Sequence, residues 1–248
     1  MTRHSLHGLR VLNTRPREQA VDLSQKIHDA GGVAIELPTI EIVGTPHWLS
    51  SLPDLNTVNQ AIFISANAVE HCFSLLQHWP STIEVIAIGK GSAAALEQFN
   101  IRVHIIPEIS DSEHLLMLPS LKQAKHQNIL LFKGEGGRTL IENVLLERGA
   151  NLLALNVYRR ALPKINHQFV KSIWRDDLVD IILLTSEQSM HNLFQLFEEK
   201  AHHWLRNKTC LVFSERLAQI ASSSGIKNLI CSRPDELMNA LFDYVIKD

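Results

Sequence analysis

A glycine-rich stretch between an apolar run and a helix-like segment carries the clearest chemical signal in the sequence. It reads KGEGGRT at 133–139 and contributes Lys133, Gly134, Gly137 and Arg138 as candidate ligand-binding residues. Glycines let a backbone approach a ligand closely, and free N–H groups at a helix start attract negative charge. The two cations strengthen this pattern, so it predicts a site for phosphate or carboxylate. The alternative is a tight turn that needs glycine for geometry alone.

Five further turns place polar side chains directly after short apolar runs. Singly, each Ser, Thr or Asn at such a position is a good helix N-cap, and that is its simplest interpretation. Together they form a group of donors that suits an oxyanion-rich ligand, and Arg15 before Pro16 is interpreted as a ligand contact. The candidate binding residues in these turns are Thr14, Arg15, Ser65, Ala66, Asn67, Gly89, Lys90, Ser92, Thr185, Ser186 and Ser214.

Tyr158 is one of only two tyrosines and stands before two arginines. Its phenol could be a donor aimed into a cleft, or it could be a core or linker aromatic whose hydroxyl reaches solvent. Both interpretations stay open at this point.

Several catalytic motifs are missing. The glycine stretch lacks the third glycine of G-x-G-x-x-G and the acidic residue that should follow it, so a nucleotide-dependent oxidoreductase is a weak alternative. The patterns G-x-x-x-x-G-K-[ST], H-E-x-x-H and G-x-S-x-G do not occur. We therefore predict no NTPase, zinc protease or serine hydrolase of those types, and neither a metal nor a cofactor.

A strand–turn–helix pattern occurs six times along the chain, which predicts parallel sheets covered by helices. In such sheets ligands bind at the carboxyl ends of the strands, where these turns lie. Gly31 and Gly149 are predicted to end helices. Residues 43–59 and 107–127 are candidate linkers. The helices are predicted over 18–30, 68–77, 93–99, 139–148, 188–198 and 216–222.

The six units form two similar halves, at about 9–106 and 128–231. Related segments recur at offsets between 118 and 125 residues, which indicates a tandem duplication. The alternative is the general likeness of any two α/β segments.

Composition excludes several other classes. The 248 residues carry 24 Lys and Arg against 26 Asp and Glu, so the net charge of −2 predicts neither nucleic-acid nor membrane binding. The three cysteines have no metal or disulfide spacing, which favours a reducing, cytoplasmic location. We find neither a signal-peptide pattern nor an apolar run long enough to span a bilayer.

Taken in order, the turns resemble the uroporphyrinogen-III synthase family of tetrapyrrole biosynthesis, in its gammaproteobacterial form. The matching stretches are VLNTRP at 11–16, ISANAV at 64–69, GKGSA at 89–93, GEGGR at 134–138, VYRR at 157–160, TS at 185–186 and SER at 214–216.

This resemblance implies an α/β fold of two HemD-like, flavodoxin-like lobes with parallel sheets, joined by a two-stranded β-ladder and separated by a cleft. Lobe one would comprise 1–37 plus 163–248, and lobe two 44–156. The ladder would comprise 38–43 and 157–162. The lobes would then differ from the sequence halves by one exchanged unit.

The resemblance also implies an enzyme that acts on hydroxymethylbilane, a linear tetrapyrrole rich in carboxylates. The substrate loses water and closes with ring D inverted, which gives uroporphyrinogen III. Tyr158 would be the catalytic acid, and the turn residues would bind substrate. A cofactor-free monomer that receives its substrate from the preceding synthase is expected. The alternative is a non-catalytic two-lobe anion-binding or regulatory module.

Overall fold

The computed structural model describes the backbone of residues 5–247 and their side chains, except those of residues 18 and 247. The described chain divides into two compact units. Unit 1 comprises residues 5–41 and 161–247, and unit 2 comprises residues 42–160. Each unit contains one five-stranded sheet, so unit 1 is built from two separate parts of the chain.

The strands of the described residues are β1 (Arg10–Asn13), β2 (Val33–Glu36), β3 (Glu41–Gly44), β4 (Gln60–Phe63), β5 (Glu84–Ala87), β6 (Asn128–Gly134), β7 (Asn151–Ala161), β8 (Ile181–Leu184), β9 (Thr209–Val212) and β10 (Asn228–Cys231). The α-helices are α1 (Arg17–Asp29), α2 (Ala66–Phe73), α3 (Lys90–Gln98), α4 (Ser112–Leu115), α5 (Pro119–Lys122), α6 (Leu140–Glu147), α7 (His167–Arg175), α8 (Glu187–Leu196), α9 (His202–Asn207), α10 (Glu215–Ser223) and α11 (Leu237–Lys247).

The two sheets are predominantly parallel. Unit 1 has the strand order β2-β1-β8-β9-β10, and all four neighbouring pairs run parallel. Unit 2 has the order β5-β4-β6-β7-β3, in which β5, β4, β6 and β7 run parallel. The order in unit 1 is the flavodoxin-like order 2-1-3-4-5, and the four parallel strands of unit 2 follow its 2-1-3-4 part, with β3 added beyond β7. The predicted fold class of two parallel-sheet α/β units is confirmed.

Both faces of each sheet are covered. In unit 2, Phe63 and Phe132 belong to a core with residues of α2 and α3, whereas Ile62 and Leu131 belong to a core with residues of α6. Successive residues of a strand point to opposite faces, so a strand buried on both faces must be apolar throughout. This is why the strands were visible in the sequence as short continuous apolar runs.

The helix boundaries follow from local chemistry. The hydroxyls of Ser65, Ser186 and Ser214 accept the N–H of the residue three positions later and so cap α2, α8 and α10. Gly31 and Gly149 follow α1 and α6 with φ of +78° and +81°, a conformation that glycine adopts readily. The predicted caps at Ser65, Ser186 and Ser214 and the predicted helix ends at Gly31 and Gly149 are confirmed, whereas Thr14, Ser92 and Thr185 cap no helix.

The prediction that 43–59 and 107–127 are linkers is wrong. Both segments lie inside unit 2, where Trp48, Val58, Leu115 and Leu121 are buried in its cores. The prolines and polar residues of these segments limit them to short helices such as α4 and α5, which is why the sequence pattern did not reveal this packing. The segments predicted as a ladder overlap β3 and the end of β7, which are neighbours in the sheet of unit 2.

Candidate functional site

The parallel strands bring the predicted turns to one edge of each sheet. The turns after β1, β8 and β9 lie at the carboxyl edge of the unit 1 sheet. The turns after β4, β5 and β6 lie at the carboxyl edge of the unit 2 sheet, together with the end of β7. Since this edge is where open α/β sheets bind ligands, the predicted residues form two candidate sets, one in each unit.

In unit 2 the structure joins Tyr158 to Ser65. The Tyr158 hydroxyl lies 3.2 Å from the Ser65 hydroxyl, although 93 residues separate them in the chain. Tyr158 is only 3% exposed, and its ring stacks on that of His71 with 5.9 Å between the centroids. Ser65 is half-buried and accepts the Ala68 N–H at 3.0 Å. Two predicted site residues therefore form one hydrogen-bonded pair at the sheet edge.

The glycine-rich turn follows β6 beside this pair. Gly136 and Gly137 have φ of +76° and +82°, so the backbone itself requires glycine there. Thr139 precedes α6 but makes no side-chain cap, which leaves N–H groups of the first helical turn available to an anion. The turn thus has both features that the sequence left as alternatives, a strict geometry and an open helix start.

The two cations of this turn have different surroundings. Lys133 is buried and ion-paired with Glu142, whose side chain is also largely buried. Arg138 is exposed and pairs with Glu113 at 2.6 Å, and this hydrogen bond lowers the pKa of the Glu113 carboxyl. Arg138 can therefore exchange Glu113 for a ligand carboxylate, whereas Lys133 already has a buried partner inside the protein.

The turn after β5 adds a second uncapped helix start. Gly89 precedes α3 without a side-chain cap, and a Cβ there would lie 2.3 Å from the Ser110 hydroxyl. Lys90 is exposed and makes no ion pair with any described side chain, while Ser92 is buried. Ala66 and Asn67 are half-buried in the first turn of α2. Among the residues of these two turns, the Lys90 side chain and the N–H groups at the start of α3 are the most available to a ligand.

In unit 1, Thr14 is part of the interior. It is fully buried, its hydroxyl donates to the Leu183 carbonyl, and it lies 3.1 Å from the Ser189 hydroxyl. Thr39 joins the same group through a 2.7 Å contact with Ser189. These contacts satisfy the Thr14 hydroxyl inside unit 1.

Arg15 lies in the turn after β1, at the carboxyl edge of the unit 1 sheet. Its guanidinium lies 5.5 Å from the centre of the Phe213 ring, and no described carboxylate forms an ion pair with it. Burial lowers the pKa of Arg15, an effect that the charge of Asp22 opposes. An arginine stays protonated at neutral pH even so, and a partly desolvated guanidinium binds a carboxylate well.

The hydroxyls of the other two turns in unit 1 lie at the same edge. Thr185 and Ser186 are half-buried and Ser214 is exposed, but the Ser186 and Ser214 oxygens are already engaged as caps. Sequence reasoning missed Glu113 as the partner of Arg138 and Phe213 as the platform of Arg15. Neither had a local signal, because both contacts join residues that lie far apart in the chain.

The described residues include neither a cluster of metal-binding side chains nor a buried thiol of low pKa. No three or more His, Cys, Asp and Glu side chains of residues 5–247 come together in a way that could hold a metal ion. Cys72 and Cys210 are free and buried, and burial raises the pKa of both thiols, that of Cys210 to about 12. Neither buried thiol is therefore a reactive nucleophile. No described helix is both long and apolar enough to span a membrane.

Comparison with known proteins identifies the family to which this chain belongs. The sequence model for "Uroporphyrinogen-III synthase HemD" matches residues 21–241. The chain belongs to this family. The uroporphyrinogen-III synthase of Salmonella typhimurium is 31% identical over 231 residues, which cover 88% of this chain and 93% of that protein. The enzyme of the same name from Escherichia coli is 29% identical over 228 residues, with the same coverage. The predicted family and its enzymatic function in tetrapyrrole biosynthesis are confirmed.

Solved structures of uroporphyrinogen-III synthases support the fold. The Helicobacter pylori protein aligns with a TM-score of 0.64 at 17% identity and covers 97% of this chain and 99% of its own. A Thermus thermophilus mutant aligns with a TM-score of 0.58 at 20% identity, with the same coverage.

Proposed function

We propose that this chain converts hydroxymethylbilane into uroporphyrinogen III, the reaction that the family resemblance implies. The observation that carries the proposal is the family match over residues 21–241. In this reaction the terminal hydroxyl leaves as water, the chain of pyrroles closes into a ring, and ring D is inverted. No net oxidation or reduction occurs, so the proposed chemistry needs only proton transfer and control of the substrate's conformation.

Loss of the hydroxyl requires a proton donor, and we assign this role to Tyr158. Its hydroxyl contacts that of Ser65, which is half-buried, so the phenol approaches the sheet edge on that side. The Ser65 oxygen accepts the Ala68 N–H, and the Ser65 O–H is free to donate to the tyrosine oxygen. Ser65 would thereby stabilise the phenolate that forms when Tyr158 protonates the leaving group.

The substrate carboxylates need cations and backbone N–H groups. Support for their binding comes from Arg15 in unit 1 and from Lys90 and Arg138 in unit 2. The uncapped starts of α3 and α6 add N–H groups, whereas α2, α8 and α10 are capped by serines. We therefore assign backbone binding of carboxylates to the turns after β5 and β6.

The proposed reaction also bears on the location of the protein, its oligomeric state and the source of its substrate. We infer a cytoplasmic monomer that takes hydroxymethylbilane from the preceding synthase, in keeping with free thiols at Cys72, Cys210 and Cys231. Light scattering on the purified chain tests the oligomeric state, and a dimer would contradict this inference.

The decisive experiment supplies hydroxymethylbilane continuously from the preceding synthase, oxidises the products and separates isomers I and III. We expect isomer III to dominate with the native chain, while heat-denatured protein leaves isomer I. Isomer I alone, formed at the rate seen in buffer, would contradict the proposed reaction. Binding of the substrate without turnover would favour a non-catalytic anion-binding module instead.

A further inference from the structure

We propose that Gly134 and a bulge in β7 together form a seat for the phenol of Tyr158, with Gly134 as a positioning residue. The seat itself stands on geometry alone. Its catalytic consequence rests on the proposed function, in which Tyr158 is the acid.

The bulge turns Tyr158 inwards. Along β6 and β7, Phe132 pairs with Leu155 and Lys133 with Asn156, but the next pair is Gly134 with Tyr158, which skips one residue of β7. A strand normally alternates between its two faces, and an inserted residue shifts that alternation. Tyr158 is therefore buried next to the equally buried Val157, whereas a regular strand would point Tyr158 to the same face as the exposed Asn156.

Gly134 leaves room for the phenol. A Cβ at position 134 would lie 2.6 Å from Cζ of Tyr158, 2.7 Å from Cε2 and 2.9 Å from the hydroxyl oxygen. All three distances are shorter than real Cβ atoms tolerate, so any side chain at 134 must displace the ring. Gly134 is not among the glycines with positive φ, in contrast to Gly136 and Gly137. Space for Tyr158, rather than backbone conformation, therefore explains glycine at this position.

Other groups complete the seat. The His71 ring stacks on Tyr158, and the Ser65 hydroxyl contacts the phenol oxygen at 3.2 Å. The N–H of Glu135 donates to the Tyr158 carbonyl at 2.7 Å, which fixes the backbone beside the bulge. The phenol thus lies between two segments of unit 2, α2 with its cap and the end of β6, while the Glu135 hydrogen bond fixes the Tyr158 backbone. A small displacement of a catalytic group can cost up to about a hundredfold in rate.

The test is Gly134→Ala, with Gly91→Ala as the matched control for the tyrosine signals and Gln98→Ala as the control for the kinetics. Gly91 lies at the neighbouring turn, has no positive φ, and has nothing within 4 Å of the position its Cβ would take. We expect Gly134→Ala to lower kcat about tenfold to a hundredfold with KM changed less than twofold. Gln98→Ala, at the exposed end of α3 opposite the turn, should leave both constants near those of the parent chain.

A spectroscopic readout separates the seat from the proposed reaction. The chain has only two tyrosines, so carbon-13-labelled tyrosine gives two sets of ring signals, and Tyr158→Phe identifies one set. Gly134→Ala should shift the Tyr158 ring signals, whereas Gly91→Ala should not. Unshifted signals would overturn the seat whatever the activity. Shifted signals with unchanged kcat would support the seat and reject Tyr158 as the acid.

A thermodynamic cycle keeps the proposal testable even if Gly134→Ala folds poorly. The steric conflict requires the tyrosine ring, so Gly134→Ala should lower the unfolding midpoint in the parent chain but barely change it in a Tyr158→Val background. An equal loss of stability in both backgrounds would overturn the proposed contact.

Discussion

Tyr158 is the proposed proton donor, and its hydroxyl contacts that of Ser65. We expect Tyr158→Phe to lower kcat about a hundredfold or more, because a positioned acid typically contributes that much. Isomer III should remain the product, because the conformation in which the protein binds the pyrrole chain decides how the ring closes. The measurement is kcat together with the isomer ratio. Tyr244→Phe, at the only other tyrosine, is the control, and unchanged turnover in Tyr158→Phe would remove Tyr158 from the acid role.

Arg138 and Glu113 form an exposed ion pair, and we propose that a substrate carboxylate replaces Glu113. We expect Arg138→Ala to raise KM about tenfold with little effect on kcat, because an arginine–carboxylate contact contributes roughly that much to binding. Glu113→Gln should lower KM, because it removes an internal competitor for the guanidinium. Steady-state kinetics of both variants would test this, and a KM unchanged by Arg138→Ala would exclude it from carboxylate binding.

At the scale of elements, Lys133 and Glu142 connect β6 to α6 through a buried ion pair. We expect Lys133→Met to destabilise the chain by about 3 kcal/mol, because it leaves the Glu142 carboxylate buried without a partner. Lys133→Met combined with Glu142→Leu should recover most of that loss. Urea unfolding measures both. A normal stability accompanied by a raised KM in Lys133→Met would instead make Lys133 a substrate ligand.

The sequence predicted elements best where their signals are local. The predicted helix over 18–30 is observed as Arg17–Asp29, and that over 188–198 as Glu187–Leu196, because caps and apolar spacing lie within a few residues. The bulge in β7 could not be predicted in this way. It exists only in relation to β6, and its trace in the sequence, two adjacent buried residues at 157–158, is ambiguous without the partner strand.

At the scale of the whole molecule, the two units repeat one another. Strands β9, β8, β1 and β2 of unit 1 take the same order as β5, β4, β6 and β7 of unit 2. The correspondence extends to single pairs: Ile86 bridges Ile105 in unit 2, and Leu211 pairs with Ile230 in unit 1, each residue offset by 125 positions. Each sequence half thus contributes strands to both units, as a duplication with an exchanged unit would require.

Unit 2 should fold by itself. Its two cores contain only residues between 42 and 160, and its sheet extends beyond that continuous segment only by Glu41 and Ala161, the first residue of β3 and the last of β7. We expect a fragment of residues 42–160 to unfold cooperatively in urea, as single domains of this size do. Circular dichroism measures this transition, and a fragment without a sigmoidal transition would contradict the independence of the unit.

The sequence by itself determined the strand–turn–helix order, the serine caps, the glycine helix ends and the family, because each depends on residue types within a short stretch or on their order along the chain. Only the tertiary structure decided that Lys133 forms an ion pair with Glu142, that Thr14 is buried inside unit 1, and that the Tyr158 hydroxyl contacts that of Ser65. The physical reason is that these contacts depend on strand order and register. Both are set by packing between distant segments, which no local pattern in the sequence records.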